Sequence, residues 1–187
     1  MPTIPTHAVS AIAILAGASL CRLPRGAWLA GAACAMLPDA DVIGFPLGIR
    51  YGDLLGHRGL THSVAFAAVL ATVIVWRGFL PSLSRIRAWT YLFVCTLSHG
   101  VLDAATNGGL GIAFFSPFSN HRYFWPWRPL PVSPIGMGFF VSQRAAGVIA
   151  SELLWIWMPS AAVIVAACLL RTAGTGGGLT GCSGRKS

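Results

Sequence analysis

Apolar residues run through this chain in five long stretches, roughly 5–21, 27–45, 61–76, 88–106 and 146–170, with polar residues gathered near their ends. Runs of this length read as membrane helices, although the first and third fall short of the about 20 residues that a full crossing takes. Prolines and glycines punctuate the boundaries at Pro24-Arg25-Gly26, Pro38, Pro46, Pro81 and Gly108-Gly109. Thr6 and Thr61 stand where N-caps of the first and third helices belong. Between the fourth and fifth runs, residues 107–145 change character. Their "FFSPFSNHRYFWPWRPLPVSPIGMGFF" is rich in aromatics and proline. Tyr and Trp favour the membrane–water interface, and proline resists a continuous helix. This segment is expected to form an interfacial or re-entrant loop over the polar residues. The pattern predicts an all-α, polytopic membrane helical bundle: one membrane-embedded domain over 1–171, then a flexible glycine-rich tail over 172–187.

Composition agrees with the bilayer as the main partner. The 187 residues have a mean hydropathy of +0.70, with 55% hydrophobic and 10% charged residues, which fits an integral membrane protein better than a soluble domain. The net charge of +8 does not point to nucleic acid, because the thirteen basic residues are scattered and no nucleic-acid-binding motif accompanies them. They bear on topology instead. Eight (Arg22, Arg25, Arg77, Arg85, Arg87, Arg171, Arg185 and Lys186) fall on one side of a five-helix arrangement, and five (Arg50, Arg58, Arg122, Arg128 and Arg144) on the other. The positive-inside rule then predicts an outward amino terminus and an inward carboxyl terminus. "MPTIPTHAVSAIAILAGASLC" lacks the basic start of a secretory signal, so the first segment is expected to be retained. Five cysteines, widely spaced and without a CxxC pair, read as small apolar fillers.

The few acids and histidines sharpen the picture. The acids are Asp39, Asp41, Asp53, Asp103 and Glu152; the histidines are His7, His57, His62, His99 and His121. Ionisable groups within a membrane cost ~2.5–3.5 kcal/mol each on insertion scales, so they default to functional readings. In the five-helix arrangement all but Asp53 and Glu152 collect in motifs or loops on the outward, periplasmic side. Inverting the topology moves them together, so the clustering does not depend on orientation.

Three motifs carry the chemistry. In "LSHGVLDAATNGG", His99 and Asp103 are four residues apart and share one helix face. Imidazole and carboxylate suit zinc or a similar divalent ion; the plain alternative is a His–Asp hydrogen bond between helices. "MLPDADVIG" supplies Asp39 and Asp41, which either divide ligand and supporting roles or are merely solvated acids at a helix end. "GHRGLTHSV" holds His57, Arg58, Thr61 and His62, with Gly59 allowing a loop that turns both histidines inward. Arg58 is expected either to hold an anionic substrate oxygen or to anchor the interface. His7 opens the first helix. Together these cues predict a metal centre.

"PTHAVS", "LPDADVI", "HRGLTHS" and "LSHGVLDAATNGG", with "FFSPFS" and the aromatics after it, resemble the YdjM-type membrane-bound metal-dependent hydrolases of bacterial inner membranes over about residues 5–130. That family is similar, at a distance, to the zinc-dependent phospholipase C and single-strand nuclease superfamily. The resemblance implies one or two zinc ions. His99 would be a ligand and Asp103 a ligand or bridge, with Asp39 and His62 completing one site and His57 or Asp41 as alternatives. His7 would join a second metal. The superfamily's later HxxxE has no counterpart here: no Glu lies four residues after His121, and Glu152 stands alone.

The expected function is therefore metal-dependent hydrolysis of a phosphoester, lipid-linked or phospholipid by location. Asp41 would orient or deprotonate water, and Arg58 would offset phosphate charge. The competing expectation is a non-enzymatic membrane protein with a structural metal or polar cluster, or a transporter. The crowding of ionisable groups towards one face disfavours transport.

Overall fold

The structure is a computed structural model that describes residues 1–18, 25–133 and 144–175. Helix α1 spans Ile4–Ala18 and α2 spans Arg25–Met36, and α2 runs on into a 3-10 segment, Leu37–Leu47. A short 3-10 turn, Leu60–His62, leads into α3 (Val64–Trp76), followed by α4 (Arg85–Ala104). The last stretch is α5 (Ala145–Glu152), a π-helical turn (Leu153–Trp157) and α6 (Met158–Thr175). The fold is all-helical. Among the described residues there is no strand, and two isolated bridges, Thr106–Leu130 and Ile112–Tyr123, stitch down the loop after α4.

Among the described residues all five apolar runs are largely helical, but only two helices are long and apolar enough to cross a membrane: Arg25–Leu47 and Ala145–Ala173. This corrects the expectation of five spanning segments. At 1.5 Å per residue, the 15 residues of α1 and 13 of α3 reach about 22 and about 20 Å, short of a hydrocarbon core about 30 Å thick. Helix α4 has the length, but Arg85, Arg87, His99 and Asp103 dilute its apolar character.

Other boundaries also differ. Thr6 lies inside the first turn of α1, which begins at Ile4. The cap of α3 is Ser63, not Thr61: its hydroxyl accepts from the Phe66 amide at 3.0 Å, because the 3-10 turn runs through His62 before the backbone extends. Helix α4 ends at Ala104 rather than at Gly108-Gly109. There Thr106 turns the chain, its amide and hydroxyl both donating to the Asp103 carbonyl. Helix α6 continues through Thr175, past the start expected for the tail; 176–187, including Cys182, Arg185 and Lys186, lie outside the described residues, as do Cys21, Arg22 and 134–143 of the aromatic loop.

The apolar core lies between α1, α2 and α4, where Ala11, Leu15, Ala27, Cys34, Ala35, Ala88, Leu92 and Cys95 are buried together. Small residues let these helices approach closely, as helices in membranes require. Gly31 shows how closely: a Cβ there would collide with the Tyr91 hydroxyl, which donates to the Ala27 carbonyl at 3.1 Å. This packing fixes where the polar ends of α1, α2 and α4 meet.

Candidate metal centre

The centre forms where three chain segments change geometry beside α4. Pro38 disfavours α conformation at the residue before it, and the chain tightens after Met36 into 3-10 geometry. With three residues per turn, Asp39 and Asp41 leave that segment in different directions. Asp39 points at α4; Asp41 points at the 57–62 loop. That loop is held by Arg58, whose backbone adopts a left-handed φ of 65°. Such a conformation costs about 1–2 kcal/mol without glycine, and the Arg58 side chain is anchored accordingly. Its Nε lies 3.2 Å from Asp103 Oδ2, while Nη1 donates to the Gly108 carbonyl at 2.8 Å and Nη2 to Thr106 Oγ1 at 3.0 Å. Gly109, at φ 84°, is needed here as well, since a Cβ would lie 2.7 Å from Arg58 Nη1.

Four side chains converge. One donor atom from each of Asp39, His62, His99 and Asp103 lies within 4.8 Å of the others, and all four residues are buried. His62 Nε2 is 3.0 Å from His99 Nε2, 3.8 Å from Asp39 Oδ1 and 3.7 Å from Asp103 Oδ2. His99 Nε2 is 3.3 Å from Asp39 Oδ1. The outward ring nitrogens set the tautomers. His99 Nδ1 lies 2.7 Å from the Ala35 carbonyl, which can only accept, so Nδ1 holds the proton. Thr61 donates to Asp41 Oδ2 at 2.7 Å and therefore accepts from His62 Nδ1 at 3.0 Å, with Asp41 Oδ2 at 3.3 Å from the same nitrogen. Both imidazoles thus turn their Nε2 lone pairs towards each other. Two lone pairs at 3.0 Å repel unless a positive charge lies between them.

The surroundings supply that attraction. Apart from the ion pair of Asp103 with Arg58, the carboxylate oxygens of Asp39 and Asp103 are buried with no hydrogen bond of good geometry. Stranded acceptors of this kind cost about 1–3 kcal/mol each, more when charged. Burial opposes a charged His62, but the carboxylates of Asp39 and Asp41 outweigh it and hold the imidazole up at about 9. A proton answers this field in part. A divalent ion answers it better: two carboxylates and two neutral imidazoles form a ligand set suited to zinc. The orphaned oxygens and the pinned outer nitrogens fit such an ion.

Every other residue that the sequence singled out is placed by the same geometry. His7 stacks on His99 with ring centroids 3.7 Å apart, and its Nε2 lies 3.6 Å from Asp103 Oδ1. His57 turns inward and its Nδ1 lies 2.7 Å from Asp41 Oδ1. Asp41, His57 and His62 form a second group with donor atoms within 4.8 Å of one another. Arg58 is fully buried, and its guanidinium meets Asp103, the Gly108 carbonyl and Thr106. Asp41 meets His57, Thr61 and His62. His121 is exposed against Tyr123, and Asp53 receives the Arg50 amide in a turn. Arg122 had no place in the motif reading. It donates to the carbonyls of Tyr51, His57 and Arg58 at 3.2–3.3 Å and so fastens the aromatic loop over the 57–62 loop. Thr61 and the Ala35 carbonyl were also missed as histidine-orienting groups, since neither signals that role in sequence.

Comparison with known proteins decides the family. A family model described as YdjM inner membrane protein matches residues 1–174. The chain belongs to the YdjM inner membrane protein family. The inner membrane protein YbcI of Escherichia coli (strain K12) is 41% identical over 162 residues, covering 85% of this chain and 92% of that protein. No solved structure matches the chain. Within this YdjM-family chain, the four converging side chains come from three of the stretches that carried the resemblance: the DAD segment, the HRGLTH loop and the end of α4.

Proposed function

We propose that the protein is a multi-pass inner-membrane hydrolase that uses one or two divalent ions, zinc foremost, on phosphoester substrates presented at the outer face of the membrane. The observation that carries this reading is the buried quartet of Asp39, His62, His99 and Asp103, with its outer ring nitrogens bonded and its inner donor atoms converging. An ion bound there supplies Lewis acidity, which makes water a nucleophile near neutral pH. Asp41 and Thr61 set the His62 ring, the Ala35 carbonyl sets His99, and Arg58 balances Asp103 while keeping its carboxylate aimed inward. His7 stacks on His99 and His57 stands edge-on to His62, and these two are the candidates for a second ion. The resemblance to zinc-dependent phospholipases and nucleases supports phosphoester chemistry. Exposed Phe115, Phe118, Trp125 and Trp127 on the fastened loop support contact with lipid, hence a lipid-linked or phospholipid substrate.

One observation favours a second reading. The quartet already offers four protein donors in a fully buried setting, as closed structural zinc sites do, whereas catalytic sites keep one position open. Elemental analysis of detergent-purified wild type beside His99→Ala, with hydrolysis of phosphomonoester, phosphodiester and phospholipid substrates, separates these. The hydrolase predicts about one or two ions per chain, loss of metal in the variant, and turnover above blank. Metal without turnover supports the structural reading, and equal metal in both proteins removes the centre altogether.

A further inference from the structure

Glu152 is a carboxylate in one of the two potential membrane spans, buried, and far in sequence from every motif. Such a group needs partners, and it has them at the opposite end of the chain. Its Oε1 accepts from the Thr3 amide at 2.6 Å; its Oε2 accepts from the hydroxyls of Thr3 at 2.5 Å and Thr6 at 2.6 Å. The Trp157 indole adds a bond to Thr6 Oγ1 at 2.8 Å. Both contacts depend on a local irregularity. In an α-helix, with 3.6 residues per turn, positions 152 and 157 stand on different faces. The π-helical turn Leu153–Trp157, with its wider i to i+5 repeat, brings them over one another, so both reach the first turn of α1. A carboxylate at that end also suits the α1 dipole.

The next residue along α1 is His7. Its ring stacks on His99 and approaches Asp103, yet neither ring nitrogen is hydrogen-bonded. No side-chain hydrogen bond fixes where His7 stands, so its placement follows chiefly from the helix turn that carries it. We infer that Glu152 is a positioning residue for His7, acting through Thr3 and Thr6 to seat the first turn of α1 against the candidate metal centre. This rests on the metal-centre reading for its purpose, but not for its geometry.

The test therefore has one arm that needs no metal. In chelator-treated protein, mass spectrometry reads modification of each histidine by diethyl pyrocarbonate. Glu152→Ala and Thr6→Val should raise labelling of His7 at least tenfold, with His62 and His99 still protected, and Thr6→Ser should restore wild-type protection. Unchanged His7 labelling in Glu152→Ala, or equal labelling of all three histidines, overturns the inference. The second arm loads the protein with Co2+ alone and records its visible absorption. Glu152→Ala should reproduce the spectrum of His7→Ala; a wild-type spectrum in Glu152→Ala overturns the role at the centre. If wild type takes up no Co2+, the metal reading fails while the labelling arm still decides the positioning of His7.

Discussion

The two halves of α4 behave as different materials. From Arg85 to Cys95 the helix buries Ala88, Tyr91, Leu92 and Cys95 against small residues of α1 and α2. From Thr96 to Ala104 it buries His99 and Asp103 among charges and imidazoles. The first half is held by shape and the second by charge and hydrogen bonds. The difference teaches that stability and candidate chemistry are separable along one helix. Truncation in the apolar half leaves a cavity, which nearby atoms partly fill. Truncation in the polar half strands a buried charge.

The sharpest way to break the contrast is Asp103→Ala. It leaves fully buried Arg58 without its carboxylate, and losing one partner of a buried pair costs about 3–5 kcal/mol. Thermal unfolding in detergent should show the largest drop in Tm, together with loss of metal by elemental analysis. Leu92→Ala tests the other half. A cavity at this fully buried position costs about 2–5 kcal/mol, and the metal content should stay at the wild-type level. Should metal fall with Leu92→Ala as it does with Asp103→Ala, the two halves are not separable.

Asp41→Asn asks less of the fold and more of the site. Losing a carboxylate that orients His57 and His62 should weaken metal affinity about 10–100-fold, measured by competition with a chelator, with a small change in Tm. Tyr91→Phe is the mildest. It removes one neutral bond to the Ala27 carbonyl, worth about 1 kcal/mol, and should leave metal affinity unchanged.

Much of the site was legible because its signals are local. His99 and Asp103 share a face by helical spacing alone, and Gly59 announced a loop. Asp39 and Asp41 were legible as a pair but not as individuals. Which one faces α4 depends on the switch to 3-10 geometry after Met36, and so on how the proline is accommodated. The partners of Arg58 were hidden for a related reason. Its guanidinium meets acceptors about fifty positions further along, at Thr106 and Gly108, which only tertiary contact supplies. Span number misled differently: apolar runs mark helices well, but length and dilution by charge decide which of them can cross.

By itself the sequence determined that this is an all-helical protein with scarce ionisable groups gathered into a few motifs, because apolar runs and residue spacing are properties of the chain alone. Tertiary structure decided which donors converge, since His7, Asp39, His62 and His99 come from four segments whose meeting is set by close packing around Gly31 and the neighbouring alanines. It also gave Glu152 its partners. A carboxylate 149 residues from Thr3 cannot reveal in sequence which helix end it will seat.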